Sequence, residues 1–293
     1  MTYQELLAQI EEVERKLCSE GIDPSKGRLG HYRRTVAQLA DPVIRADLVR
    51  HFGKEGIRPL FFTLTEASEL CFIHRSLSFR LGSALLERLK VALGGPAAAV
   101  EESAKNSGNR ARNVQFELYV MASLLRAGFP LPDQTLTDVR TISASREVLI
   151  ECKRPQSPTG IRAAVADAVG QLIKQPRNVR PNALKLVALS LGKCLSGGRL
   201  LMHAQDENIA KKAIGDAMAA MIQPHIKDFH RKAGDQVAGI LAVGSMSMVH
   251  LGSNSPSTTT MQILFANSQM NSADMHATEA LYIEYKTRSL NRD

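Results

Sequence analysis

The stretch Val148-Leu149-Ile150-Glu151-Cys152-Lys153-Arg154-Pro155 constrains this chain more than any other. Three aliphatic residues in a row require a buried strand, and Pro155, which has no N–H to give to a ladder, stops it. Side chains alternate along a strand, so Glu147, Leu149, Glu151 and Lys153 share one face while Val148, Ile150 and Cys152 share the other. A carboxylate and an ammonium are therefore expected side by side at the end of an apolar strand. Charges are costly to bury there unless they pair with each other, with a metal or with a substrate. Taken alone, Glu151 and Lys153 read as an ordinary ion pair.

The neighbouring segments change that reading. Thr135 to Ile142 has the composition of a second strand, and Ser143-Ala144-Ser145-Arg146 is a hairpin turn, which brings Asp138 across the ladder from Glu151. Upstream, Asn113 to Gly128 is helical by period, with Val114, Met121, Leu124 and Leu125 near one stripe and Gly128 in the stop position. Glu117 falls on that stripe, and a carboxylate among apolar residues needs a partner. Downstream, Ile161 to Gln175 is a second helix whose inward face carries Val165, Ala168, Val169 and Leu172, with Gln171 at its margin. Leu184 to Leu191 then reads as another buried strand.

The order is a helix with Glu, a hairpin with Asp and Glu-x-Lys, a helix with Gln, and a strand. Over about residues 109 to 191 this resembles the PD-(D/E)xK nuclease superfamily, the restriction-endonuclease-like fold. The resemblance implies an α/β (mixed α+β sheet) domain with an αβββαβ core and extra C-terminal strands. It implies catalytic residues at Glu117, Asp138, Glu151, Lys153 and Gln171. It also implies a Mg2+ or Mn2+ ion held by Asp138, Glu151 and the backbone carbonyl of Cys152, with Glu117 holding a metal-bound water or a second ion. Hard divalent ions prefer such oxygen donors. Lys153 would steer the attacking water or stabilise phosphate charge. The family's literal Pro-Asp occurs as Pro132-Asp133, but Asp138 is preferred because a residue within the strand can approach Glu151. A second acid-x-Lys, Glu284-Tyr285-Lys286 with Asp274 before it, lies too near the end of the sequence for a helix and strand to follow, and reads as a surface helix or terminal strand.

Charge agrees with a polyanionic partner: 37 Lys and Arg against 29 Asp and Glu, a formal +8, with a pI near 9.4. Candidate backbone contacts are Arg110 and Arg112 at the start of the first helix, then Arg154, Arg162 and Lys174, with Arg177 and Arg180 beyond. DNA is the favoured nucleic acid because most of the resembled family cuts DNA. With no Trp and only 5 Tyr, a stacking platform for single strands is disfavoured. The alternative is an inactive nucleic-acid-binding or assembly module that retains the fold.

Elsewhere, residues 1–100 are expected to form an all-helical domain that binds nucleic acid, makes a homodimer or senses another factor, and residues 101–293 the catalytic domain. Gly94-Gly95-Pro96 marks the break. Tyr3, Leu6, Leu7, Ile10, Val13 and Leu17 fit one helix, and Asp41-Pro42 fits an N-cap followed by an N1 proline. Arg28, His31, Arg33 and Arg34 read as a solvated helix end, with a phosphate contact as the alternative. Asp206 to about Arg231 is helical, with Ile209, Ala213, Ala217 and Met221 as its inward stripe and a break near Pro224. Val237–Val249 and Thr258–Phe265 are further strands. Gly192-Lys193 lacks the earlier glycine and the Ser or Thr of a P-loop. Four scattered cysteines suit reduced cytoplasmic thiols, and neither a secretory signal nor an apolar run of membrane-spanning length is present.

Overall fold

A computed structural model of the chain describes residues 2–25, 27–78, 82–97, 109–132, 138–175, 182–195, 202–204, 206–250 and 256–290. Compactness divides the chain into two interleaved units rather than at one cut near residue 100. Unit 1 holds residues 1–119, 198–211 and 245–259; unit 2 holds 120–197, 212–244 and 260–293.

Unit 1 is mainly helical. Helix α1 (Tyr3–Ser19) starts with a capping box in which Thr2 and Glu5 satisfy each other's backbone N–H, and buries Tyr3, Leu6, Ile10, Val13 and Leu17 of the expected stripe, with Leu7 half-buried. Gly21, at φ 74°, takes the left-handed position after it. Helix α2 (Arg28–Ala40) is followed by the short α3 (Pro42–Ala46), which Asp41 caps through Val43 N–H. Helix α4 (Leu48–Leu77) is broken at Gly53, whose φ of 67° no helix can contain, and α5 (Ser83–Leu93) ends at Gly94.

The basic reading of residues 28–34 is corrected at its first member. Arg28 is only 1% exposed. Its guanidinium donates to Tyr32 Oη, the Ala92 carbonyl and Gln115 Oε1, and lies 3.4 Å from Glu66. Arg112 is corrected likewise: 2% exposed, it forks onto the same Glu66 carboxylate and reaches the carbonyls of Pro96 and Ala97. Tyr32 also donates to Glu66, at 2.8 Å. Two buried arginines thus converge on one acid, and every polar end has a partner, the condition under which buried charge is tolerated. Composition could not distinguish an arginine with an internal acceptor from one facing phosphate.

Helix α6 (Asn109–Arg126) begins in unit 1 and ends in unit 2. After it come β1 (Val139–Ser143), β2 (Arg146–Lys153), α7 (Ile161–Lys174) and β3 (Leu184–Ser190). Between α6 and α7 the described residues contain two strands, not the three of an αβββαβ core. Asp133 and Thr135–Thr137 lie outside them. Strands β1 and β2 form an antiparallel hairpin over Ala144 and Ser145, both at positive φ (46° and 65°), the conformation that lets a two-residue turn follow strand twist. β2 runs parallel to β3 through the crossover α7, which buries Ile161, Val165, Ala168, Val169 and Leu172, as the period implied.

The chain continues through α8 (Gly192–Leu195), β4 (Met202–Ala204) and α9 (Glu207–Ile222). A 3-10 turn at Gln223–His225 separates α9 from α10 (Ile226–Ala233), the expected break at Pro224. The stripe of α9 differs from expectation by one position: Ala210, Ile214, Met218 and Ile222 are buried, while Ile209 is exposed. Both sets repeat every four residues, so spacing alone could not choose. Strands β5 (Gly239–His250) and β6 (Pro256–Ala266) and helix α11 (Ser272–Leu290) complete the chain. The sheet order is β1-β2-β3-β5-β4, with β6 paired to β5, giving a mixed α/β architecture. Glu284 and Lys286 lie on α11, where residues two apart point to different sides, so the second acid-x-Lys is a helix feature.

Candidate active site

The site lies in unit 2 where the β1–β2 hairpin opens. β1 begins at Val139, paired with Ile150, so Asp138 falls just before the strand and opposite Glu151. Asp138 is therefore outside the ladder, not within it, yet meets the expected partner. Its Oδ2 accepts from Cys152 N–H at 2.8 Å, which fixes the carboxylate at the strand edge. The Cys152 carbonyl points to the same side of the strand as its N–H, while its thiol side chain is buried.

Glu151 is buried, and its carboxyl is pushed up to about 7, first by burial and then by the Asp138 charge, against the opposing pull of Lys153. Lys153 shares its strand face, as alternation required. The ammonium lies 3.1 Å from Glu151 Oε1, donates to Gln171 Oε1 at 2.6 Å and meets Asp167 Oδ2 at 2.9 Å. Burial works to lower its pKa, but hydrogen bonds to Asp167 and Glu151 hold it above the ordinary lysine value. A protonated amine with three acceptors is held in one place.

Asp167 was not foreseen. It lies four residues before Gln171 and thus on the same flank of α7, a signal available in the sequence once Gln171 is placed there. Glu117 lies on α6 within unit 1, where it pairs with Arg88. Among the expected basic contacts, Arg110, Arg162 and Lys174 are exposed and Arg154 is half-buried, while Arg112 is withdrawn into the interior. Arg177 and Arg180 lie outside the described residues. Arg162 is paired with Asp228 at 2.8 Å.

Two carboxylates forced together at a partly dry strand end repel unless a proton or a cation comes between them, and their oxygens match a hard divalent ion. Asp138, Glu151 and the Cys152 carbonyl are a donor set of that kind. Among the described residues no three His, Cys, Asp or Glu side chains group closely enough to cage a metal. An ion here would complete its shell with water and substrate oxygens, as Mg2+ commonly does.

No family model matches the sequence, and neither a curated protein nor a solved structure matches it. Among the described residues no helix is long and apolar enough to cross a membrane.

Proposed function

We propose that the chain is a divalent-metal-dependent nuclease of the PD-(D/E)xK type, hydrolysing phosphodiester bonds with DNA as the favoured substrate. The observation that carries the reading is the convergence of Asp138, Glu151, Lys153 and Gln171 at the open end of one hairpin. Asp138 and Glu151 would hold Mg2+ or Mn2+ together with the Cys152 carbonyl. The bound ion would supply charge neutralisation at the phosphate and a water activated at neutral pH. Lys153, steadied by Gln171 and Asp167, would present its ammonium to the negative charge that grows on the phosphoryl oxygens. Glu151, raised to about 7, would have to give up its proton to hold the ion, which would couple ion binding to pH. Glu117, engaged by Arg88, is given no step.

A second reading is a nucleic-acid-binding module without catalysis. It draws on one observation: the Lys153 ammonium already has an acceptor for each N–H, as a purely structural ion cluster would. The two are separated by incubating the full chain with linear and circular DNA, single-stranded DNA and RNA in Mg2+, Mn2+ or chelator. Cleavage is expected only with metal, with a loss of at least about a hundredfold in Lys153→Ala. Equal cleavage by that variant refutes the assignment, and binding without cleavage in every condition favours the second reading.

A further inference from the structure

Helix α7 has a second polar flank that the proposed chemistry does not use. Asp167, Gln171 and Lys174 fall on one side of it; Arg162, Val165 and Ala166 are centred about 150° away around the helix axis. That second flank faces α10 across a cavity of about 320 Å³, lined by Arg162, Val165, Ala166, His225, Asp228, Phe229, Arg231 and Lys232. Phe229 is buried and forms an apolar floor. The wall carries Arg162, Arg231 and Lys232 against the single acid Asp228, a net of +2 before His225 is counted.

We infer that this cleft is a phosphate-binding site separate from the Lys153 flank, and the inference does not depend on the proposed hydrolysis. Asp228 lies between the two guanidiniums, 2.8 Å from Arg162 and 2.6 Å from Arg231. Both arginines are well exposed, at 66% and 77%. Exposed pairs of this kind contribute only about 0–1 kcal/mol each, so they do not hold the helices together. They do keep two forked donors aimed into one space. Lys232 and His225 line the same space, and neither side chain has a hydrogen-bond or ion-pair partner among the described residues. A phosphate offers more charge and more acceptor oxygens than the Asp228 carboxylate and matches the guanidinium fork. The volume is at the small end of ligand pockets, roughly 300–1,000 Å³. It suits one phosphate with its sugar, from a nucleic-acid backbone or from a free nucleotide.

Asp228 makes the assignment testable by opposite signs. With the full chain in chelator, binding of inorganic phosphate and adenosine monophosphate is measured by calorimetry, and binding of a labelled DNA duplex by anisotropy across a salt series. Lys232→Ala and Arg231→Ala are expected to weaken the responding probe by about two- to fivefold, the effect of one surface charge contact. Asp228→Asn is expected to strengthen it, and Lys212→Ala, which removes an exposed lysine paired with Asp216 outside the cleft, to leave it unchanged. A response confined to phosphate and the mononucleotide assigns the site to a small ligand. A response of the duplex, with the salt slope reduced by about one in Lys232→Ala, assigns it to a backbone. Lys232 has no partner to lose, so its variant reports binding without loss of fold. The inference is overturned if no probe responds, if Asp228→Asn weakens binding as the Arg231 variant does, or if Lys212→Ala matches Lys232→Ala.

Discussion

Glu151→Gln should abolish the proposed activity and stabilise the protein. Burial and the Asp138 charge raise the carboxyl from its ordinary 4.5 to about 7. At about 1.4 kcal/mol per pKa unit, that displacement sets a ceiling of about 3 kcal/mol on what ionising Glu151 costs the fold. Solvent reaches the strand end, and screening reduces the figure to about 1–2 kcal/mol. The folded state binds the proton more tightly than the unfolded state, so the contribution is complete below pH 4.5. It drains away as pH rises through 7. Glutamine never ionises, and its Oε1 can still accept from Lys153. The variant should therefore match wild type near pH 4.5 and exceed it by about 1–2 kcal/mol at pH 8, about 2–3 °C in Tm for a protein of 293 residues. Thermal denaturation in chelator at the two pH values measures this. Millimolar Mg2+ should then raise the Tm of wild type at pH 8 and leave the variant unmoved. A variant less stable than wild type at pH 8, or an equal difference at both pH values, would refute the argument, because the two carboxyls would not be in conflict.

Two further outcomes follow from groups described above. Glu66→Ala leaves the Arg28 and Arg112 guanidiniums buried together without their shared acid, and urea unfolding should show a loss of about 3–5 kcal/mol; a change below about 1 kcal/mol would mean the cluster is open to water. Asp167→Asn removes a group that raises the Lys153 pKa, so the alkaline limb of the cleavage profile should move to lower pH with the acidic limb fixed; an unmoved alkaline limb would free Lys153 of that control.

Much of unit 2 was legible in the sequence because its signals are local. The aliphatic run ending at Pro155, the hairpin turn and the period of α7 each report on residues a few positions away, and Glu151 and Lys153 meet because alternation dictates it. What failed depends on partners distant in the chain. Arg112 looked like a phosphate contact at a helix start because nothing near it reveals Glu66, which lies 46 residues earlier. Arg162 looked like a neighbour of the Lys153 flank, although the helical period already sets it on the opposite side of α7 from Gln171; its partner Asp228, on α10, is what the sequence did not reveal. The stripe of α9 was displaced by one residue because two parallel rows of small and apolar side chains offered the same repeat. Asp167 is an intermediate case, readable from Gln171 once the α7 flank is known.

The division into units passes through α6, α9, β5 and β6, and the chain moves from one unit to the other five times along its length. Residues 239–244 of β5 belong to one unit and 245–250 to the other, so a single strand has its two halves in different units. A fragment cut after residue 100 would retain the hairpin but leave segments 198–211 and 245–259 without the rest of the unit they build. Dissection by deletion is therefore a poor tool for this protein. Point substitution in the intact polypeptide is the way to separate what each half does.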